Sequence, residues 1–225
     1  MKLKNLSFAI STATIMAFGS LFSPAYSAGK DITIVIAEEP DIVDPCEATR
    51  SVVGKIVKQN VTETLTEINP ADGSVTPRLA TSWKQKDNLT WEFNIRKGIK
   101  FHDGEDLNAQ AVVKSINRAL NPKYDCEIRT KFFGNIKLKA SAIGSHTISV
   151  KTESPQPIMP ALMGTMTVVS PNTQEAKGVR DPKGTGPYLF NTWTPGQSVT
   201  LKRFDGYWGD KPEVENATYV WRNES

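Results

Sequence analysis

Between Leu79 and Leu120 the spacing of apolar residues changes period. Leu89, Trp91, Phe93 and Ile95 alternate with Thr90, Glu92, Asn94 and Arg96. That period of two predicts a strand with one wet face. Lys86-Asp87-Asn88 predicts a turn back to a partner strand around Trp83. Lys100-Phe101-His102-Asp103-Gly104 then breaks the alternation, and Gly104 is free to take positive φ. Asn108 suits the cap of a helix that carries Ala109, Val112, Val113, Ile116 and Leu120 on one face. Asn121-Pro122 ends that helix.

The rest of the chain reads by the same rules. Asp31 to Ala37 is an apolar, β-branched run, which predicts a buried strand. Asp44 to Ser51 predicts a loop, with Ser51 capping a helix that carries Val53, Ile56, Val57, Val61 and Leu65. Asn69-Pro70-Ala71-Asp72-Gly73 is a turn. Tyr124 to Gly134 reads as a short helix, Ile136 to Ala142 and His146 to Thr152 as strands, and Ile158 to Met163 as one helical turn. Met166 to Ser170 reads as a short strand, with Asn172 capping a short helix. Tyr188 to Trp193 and Ser198 to Phe204 form a hairpin across Thr194-Pro195-Gly196-Gln197, and Ala217 to Arg222 is a last strand. Strands and helices mixed in this way predict an α/β chain of α+β character.

The first residues read differently. Lys2 and Lys4 precede an apolar, small-residue stretch from Leu6 to Phe22, and Ala25-Tyr26-Ser27 follows. This is the layout of a secretory signal peptide, residues 1–27, cleaved after Ser27 with Ala28 as the alternative. The apolar stretch is short for a membrane span and holds Ser, Thr and Gly. After cleavage no segment is expected to embed in a membrane.

Charge narrows the partners. The 225 residues hold 27 Lys and Arg against 24 Asp and Glu, with no basic stripe, so nucleic acid is not expected as a partner. Two cysteines, Cys46 and Cys126, are an even count in an exported chain, which predicts a disulfide. With His102 and His146 they lack metal-ligand spacing, so no metal or cofactor is expected. Gly184-Thr185-Gly186 lacks the Lys-Ser/Thr of a phosphate loop and reads as a tight turn. Trp83 and Trp91 sit in strand patterns and read as core. His102-Asp103 is a base and orienter without a marked nucleophile, so no catalytic residue is assigned.

Longer words carry a resemblance. Trp83 with Thr90-Trp91-Glu92-Phe93, then Arg96 to Gly104 and Ala109-x-x-Val112-x-x-Ser115-Ile116-x-Arg118, form one block. Gly184-Thr185-Gly186-Pro187-Tyr188 and Leu201-Lys202-Arg203-Phe204-Asp205-x-Tyr207-Trp208-Gly209 form a second. Together they resemble the bacterial extracellular solute-binding proteins of the dipeptide, oligopeptide and nickel type, the receptors of ABC importers. The resemblance runs from about Asp31 to the end of the chain.

It implies a two-lobe periplasmic binding fold of which these residues are lobe one. Residues 28–75 and 185–225 would build its main sheet and residues 76–184 the family's small subdomain, with the second lobe missing. It implies a periplasmic receptor that closes on a peptide or similar small solute and docks on an inner-membrane permease. It also places both cysteines near the ligand-facing edge. Residues just beyond Asp44-Pro45 would run along the ligand: Thr49, Arg50 and Ser51, with Glu47 nearby. Arg50 would fork onto a carboxylate. Two other readings stay open, an exported hydrolase and a stand-alone interaction module or degraded gene product.

Overall fold

A computed structural model describes residues 30–47 and 51–222, with Ser51 described through its backbone alone. The predicted signal segment and the candidate residues Thr49 and Arg50 lie outside the described residues.

Two four-stranded sheets organise the chain. The first runs β1-β12-β11-β10, from β1 (Asp31–Ile36), β10 (Tyr188–Thr194), β11 (Ser198–Arg203) and β12 (Asn216–Trp221). Strand β1 pairs parallel with β12, Ile32 opposite Ala217 and Ile36 opposite Trp221, so the two ends of the described chain lie side by side. A short helix α1 (Ser51–Val53), continued by a π-helical turn over Gly54–Lys58, packs Val52, Val53, Ile56 and Val57 into the same core as Val199, Leu201 and Tyr219.

The second sheet runs β5-β6-β8-β7, from β5 (Ala80–Asp87), β6 (Thr90–Ile95), β7 (Leu138–Gly144) and β8 (Thr147–Thr152). Helix α2 (Ala109–Leu120) lies on it. Asn108 caps it as expected, its Oδ1 accepting the Ala111 N–H at 2.9 Å. Ala109, Val112 and Ile116 are buried against Phe93, Ile95, Ile148 and Val150. Gly104 takes φ 90° in the preceding loop. Two-stranded ladders complete the chain: β3 (Thr66–Ile68) with β4 (Val75–Pro77), and β2 (Glu63–Thr64) with β9 (Thr167–Val168). Helix α3 (Met159–Met163) packs between the ladders and the second core.

The structure corrects four expectations. Strand β1 is not buried: it has one strand neighbour among the described residues, and Ile32 and Val35 are 41 % and 58 % exposed. An apolar run shows what a strand tolerates, not which sides are covered. The helix after Ser51 stops before Val61 and Leu65. The carbonyls of Asn60 and Val61 accept the N–H groups of Tyr188 and Gly186, each at 3.0 Å, so the chain there is bound to another segment. Leu89 lies in the turn, held by its N–H to Asp87 Oδ1 at 2.8 Å. Asn172 caps no helix; its Nδ2 donates to Glu105 at 3.2 Å instead.

Candidate functional site

The loop that leaves the carboxyl end of β1 is fastened at its root. Asp44 is fully buried, and its two oxygens take a fork from Arg118, Nη1 to Oδ1 at 3.3 Å and Nη2 to Oδ2 at 2.5 Å. Asp44 Oδ1 also accepts the Cys46 N–H at 2.9 Å, an Asx turn that fits Pro45 between them. Arg118 is itself buried on α2, under the Tyr124 ring at 5.4 Å. Cys46 is joined to Cys126 by a disulfide, and its carbonyl accepts the Glu127 N–H at 2.9 Å. One loop is thereby tied to α2 and to the segment that follows it.

Glu47 is buried, its Oε2 accepts the Gly178 N–H at 2.7 Å, and its Oε1 has no hydrogen-bond partner among the described residues. Val179 N–H reaches Asp44 Oδ2 at 3.4 Å. The segment around Gly178 thus seals the loop from the other side. Ser51 opens α1 immediately beyond it. Of the four predicted ligand residues, Glu47 and Ser51 therefore bracket a segment whose other two members lie outside the described residues.

The two sequence blocks meet at a staple and a hub. His102 Nε2 lies 2.9 Å from the Gly186 carbonyl, and Gly184 N–H lies 3.3 Å from His102 Nδ1. The carbonyl accepts and the amide donates, so the ring is neutral with its hydrogen on Nε2. Burial pushes His102 down to about 4, against the hydrogen bond to Gly186. Asp103 points elsewhere, its Oδ2 accepting the Ser170 hydroxyl at 2.5 Å. His102 and Asp103 are therefore not a base and its orienter. Gly184 and Gly186 are needed for contact: a Cβ would stand 2.1 Å from Val61 O at the first and 2.4 Å from Asn60 O at the second.

Glu63 is the hub. Its buried carboxylate accepts the Thr185 hydroxyl at 2.7 Å, Trp208 Nε1 at 2.8 Å and the Tyr207 hydroxyl at 3.1 Å, and pairs with Arg78 at 2.6 Å. Burial, then the Glu63 charge, pushes the Tyr207 phenol up to about 12. Trp208 also lies beside Arg96, whose guanidinium is 4.6 Å from its ring centre. Pattern reading missed Asp44, Arg118 and Glu63. Arg118 stands in the same motif as Ile116, but nothing along the helix names its partner.

No group of three or more His, Cys, Asp or Glu side chains among the described residues is gathered as metal donors. Likewise, no helix among them is long and apolar enough to cross a membrane.

A mixed sheet with β1 and β12 parallel, a loop tethered beyond β1 and a small sheet-and-helix unit together resemble one lobe of a solute-binding protein. Residues 74–224 match the family described as bacterial extracellular solute-binding proteins, family 5 Middle, and the chain belongs to that family. Proteins of this family bind small ligands and deliver them to ABC permeases. The chain is 29 % identical over 218 residues to the glutathione-binding protein GsiB of Salmonella choleraesuis, covering 93 % of this chain and 40 % of that one. Against the GsiB of Escherichia coli O157:H7 it is 28 % identical over 224 residues, 95 % of this chain and 43 % of that one.

Among solved structures, MoaA of A. tumefacien R10 in complex with mannopinic acid superposes with TM-score 0.77 at 25 % identity, over 88 % of this chain and 42 % of that one. The nickel ABC transporter protein of Bacillus halodurans gives TM-score 0.72 at 25 % identity, over 87 % and 39 %. The chain spans about two fifths of the relatives it matches. These relatives are binding proteins rather than enzymes.

Proposed function

We propose that this chain forms part of a periplasmic receptor of an ABC importer that captures a small peptide or similar solute, with Glu47, Thr49, Arg50 and Ser51 along the ligand. The observation that carries this reading is the fastening of the 44–47 loop. Beside parallel strand pairs of open α/β sheets ligands bind beyond the carboxyl ends, and β1 with β12 is the parallel pair of this mixed sheet. The loop leaves that end of β1, and the Asp44–Arg118 fork, the disulfide and the Glu47–Gly178 bond hold its root rigid. Rigid roots lower the ordering cost of binding.

Export through a signal peptide cleaved near Ser27 or Ala28 belongs to the same reading. So does a division into a sheet unit of residues 28–75 and 185–225 and a subdomain of residues 76–184. The two apolar cores follow that division except at Cys46, Leu65 and Trp208, which pack with the subdomain residues. The names of the GsiB relatives make glutathione the first solute to test.

Calorimetry on the protein expressed from its complete reading frame, against glutathione and a panel of di- and tripeptides, tests the reading. Micromolar binding of one such solute is expected, and the 225-residue chain alone should bind it at millimolar strength or weaker. Micromolar binding is worth about −8 kcal/mol, and one lobe's share of the contacts barely offsets the cost of immobilising the solute. Absence of binding to every member of the panel would reject the peptide-receptor reading.

A further inference from the structure

A hollow of ≈ 470 Å³ opens between the His102-Asp103 loop and the segment 172–183, with Asp103, Asn172, Arg180, Asp181 and Lys183 in its lining. That volume lies within the range of small-molecule sites, roughly 300–1,000 Å³. Three of its four charged side chains are already matched. Asp103 Oδ2 accepts from the Ser170 hydroxyl and from Asn172 Nδ2, at 2.5 and 3.4 Å. Lys183 pairs with Asp181 at 2.7 Å. Arg180 has no carboxylate or carbonyl partner among the described residues; its guanidinium carbon stands 5.5 Å from the centre of the Trp193 ring.

The surroundings fix the backbone that carries Arg180 and the ring it lies against. Gly178 and Val179, directly before it, donate their N–H groups to Glu47 and Asp44 of the candidate loop. Trp193 is held in turn, its Nε1 donating to Glu39 Oε1 at 3.0 Å. A cation–π contact occupies none of the guanidinium N–H groups, so the fork stays available for a ligand. A planar fork of that kind matches a carboxylate better than any other common group.

We propose that Arg180 reads a carboxylate of the bound solute in this hollow, and that the solute is therefore anionic at that end. The proposal rests on the receptor reading above. The hollow is linked to the tethered loop through Val179, which lines it and donates to Asp44.

Calorimetry on the protein from its complete reading frame tests it, with reduced glutathione and its diethyl ester as probes. The unmodified protein should prefer the free acid at least tenfold. Arg180→Gln should weaken the free acid about ten- to hundredfold, leave the ester unchanged and erase the preference. Arg180→Lys should recover part of it, because it restores the charge without the fork. Arg180 is exposed, so the unfolding midpoint should not move. Equal binding of the free acid by Arg180→Gln and the unmodified protein would overturn the proposal and leave the receptor reading standing. The same holds if the protein binds the diethyl ester as tightly as the free acid. Failure to bind both probes and the whole panel would remove the receptor reading and this proposal together.

Discussion

His102 Nε2 donates to the carbonyl of Gly186 across 2.9 Å and 84 residues of chain, while Gly184 N–H lies against Nδ1 of the same ring. Only a neutral imidazole serves both. Burial holds His102 down to about 4, from an ordinary value of 6.5. The unfolded chain therefore takes up a proton that the folded chain refuses between those values. This stability is fully present above pH 6.5 and is lost as pH falls toward 4, by about 3 kcal/mol. Urea unfolding at pH 7, 5.5 and 4 should show the unmodified protein losing that amount relative to His102→Gln. Parallel losses in the two proteins would contradict a titrating staple.

Glu63 gathers four donors from three parts of the chain. Glu63→Ala should lower unfolding free energy by about 3–5 kcal/mol, because it leaves the partly buried Arg78 charge and the Thr185, Tyr207 and Trp208 donors without their acceptor. Tyr207→Phe, which removes one donor, should cost about 1 kcal/mol. Denaturant titration of the two variants checks the ranking, and equal costs would argue against a shared hub.

The Cys46–Cys126 bridge closes a loop with a sequence separation of 80. Chain entropy assigns it about 4–5 kcal/mol. Peptide mapping without reductant should recover the linked pair from protein taken from the exported fraction. Reduction should lower the unfolding midpoint, and two free thiols in the purified protein would refute the pairing.

Arg50 is expected to contact the solute. Arg50→Ala should weaken binding by about 1.5–3 kcal/mol, the worth of a charge-assisted contact. Calorimetry against the solute identified from the panel measures this. An unchanged affinity would take Arg50 out of the site.

The local elements were legible in the order of residues. The spacing of Ala109, Val112 and Ile116 set the inward face of α2, Asn108 set its start, and Gly104 and Gly196 take the positive φ of 90° and 74° that their turns require. Each is decided within a few residues, by side-chain period and backbone sterics. Tertiary structure alone decided which elements meet. Asp31 lies beside Asn216, Asp44 under Arg118, and the end of the first helix along Gly184 to Gly186. A strand's alternation shows which face is apolar but not which strand lies next to it. Many of the deciding partners, such as the carbonyls of Asn60, Val61 and Gly186, are backbone atoms common to every residue. Nothing in the sequence marks them until the chain has folded back on itself.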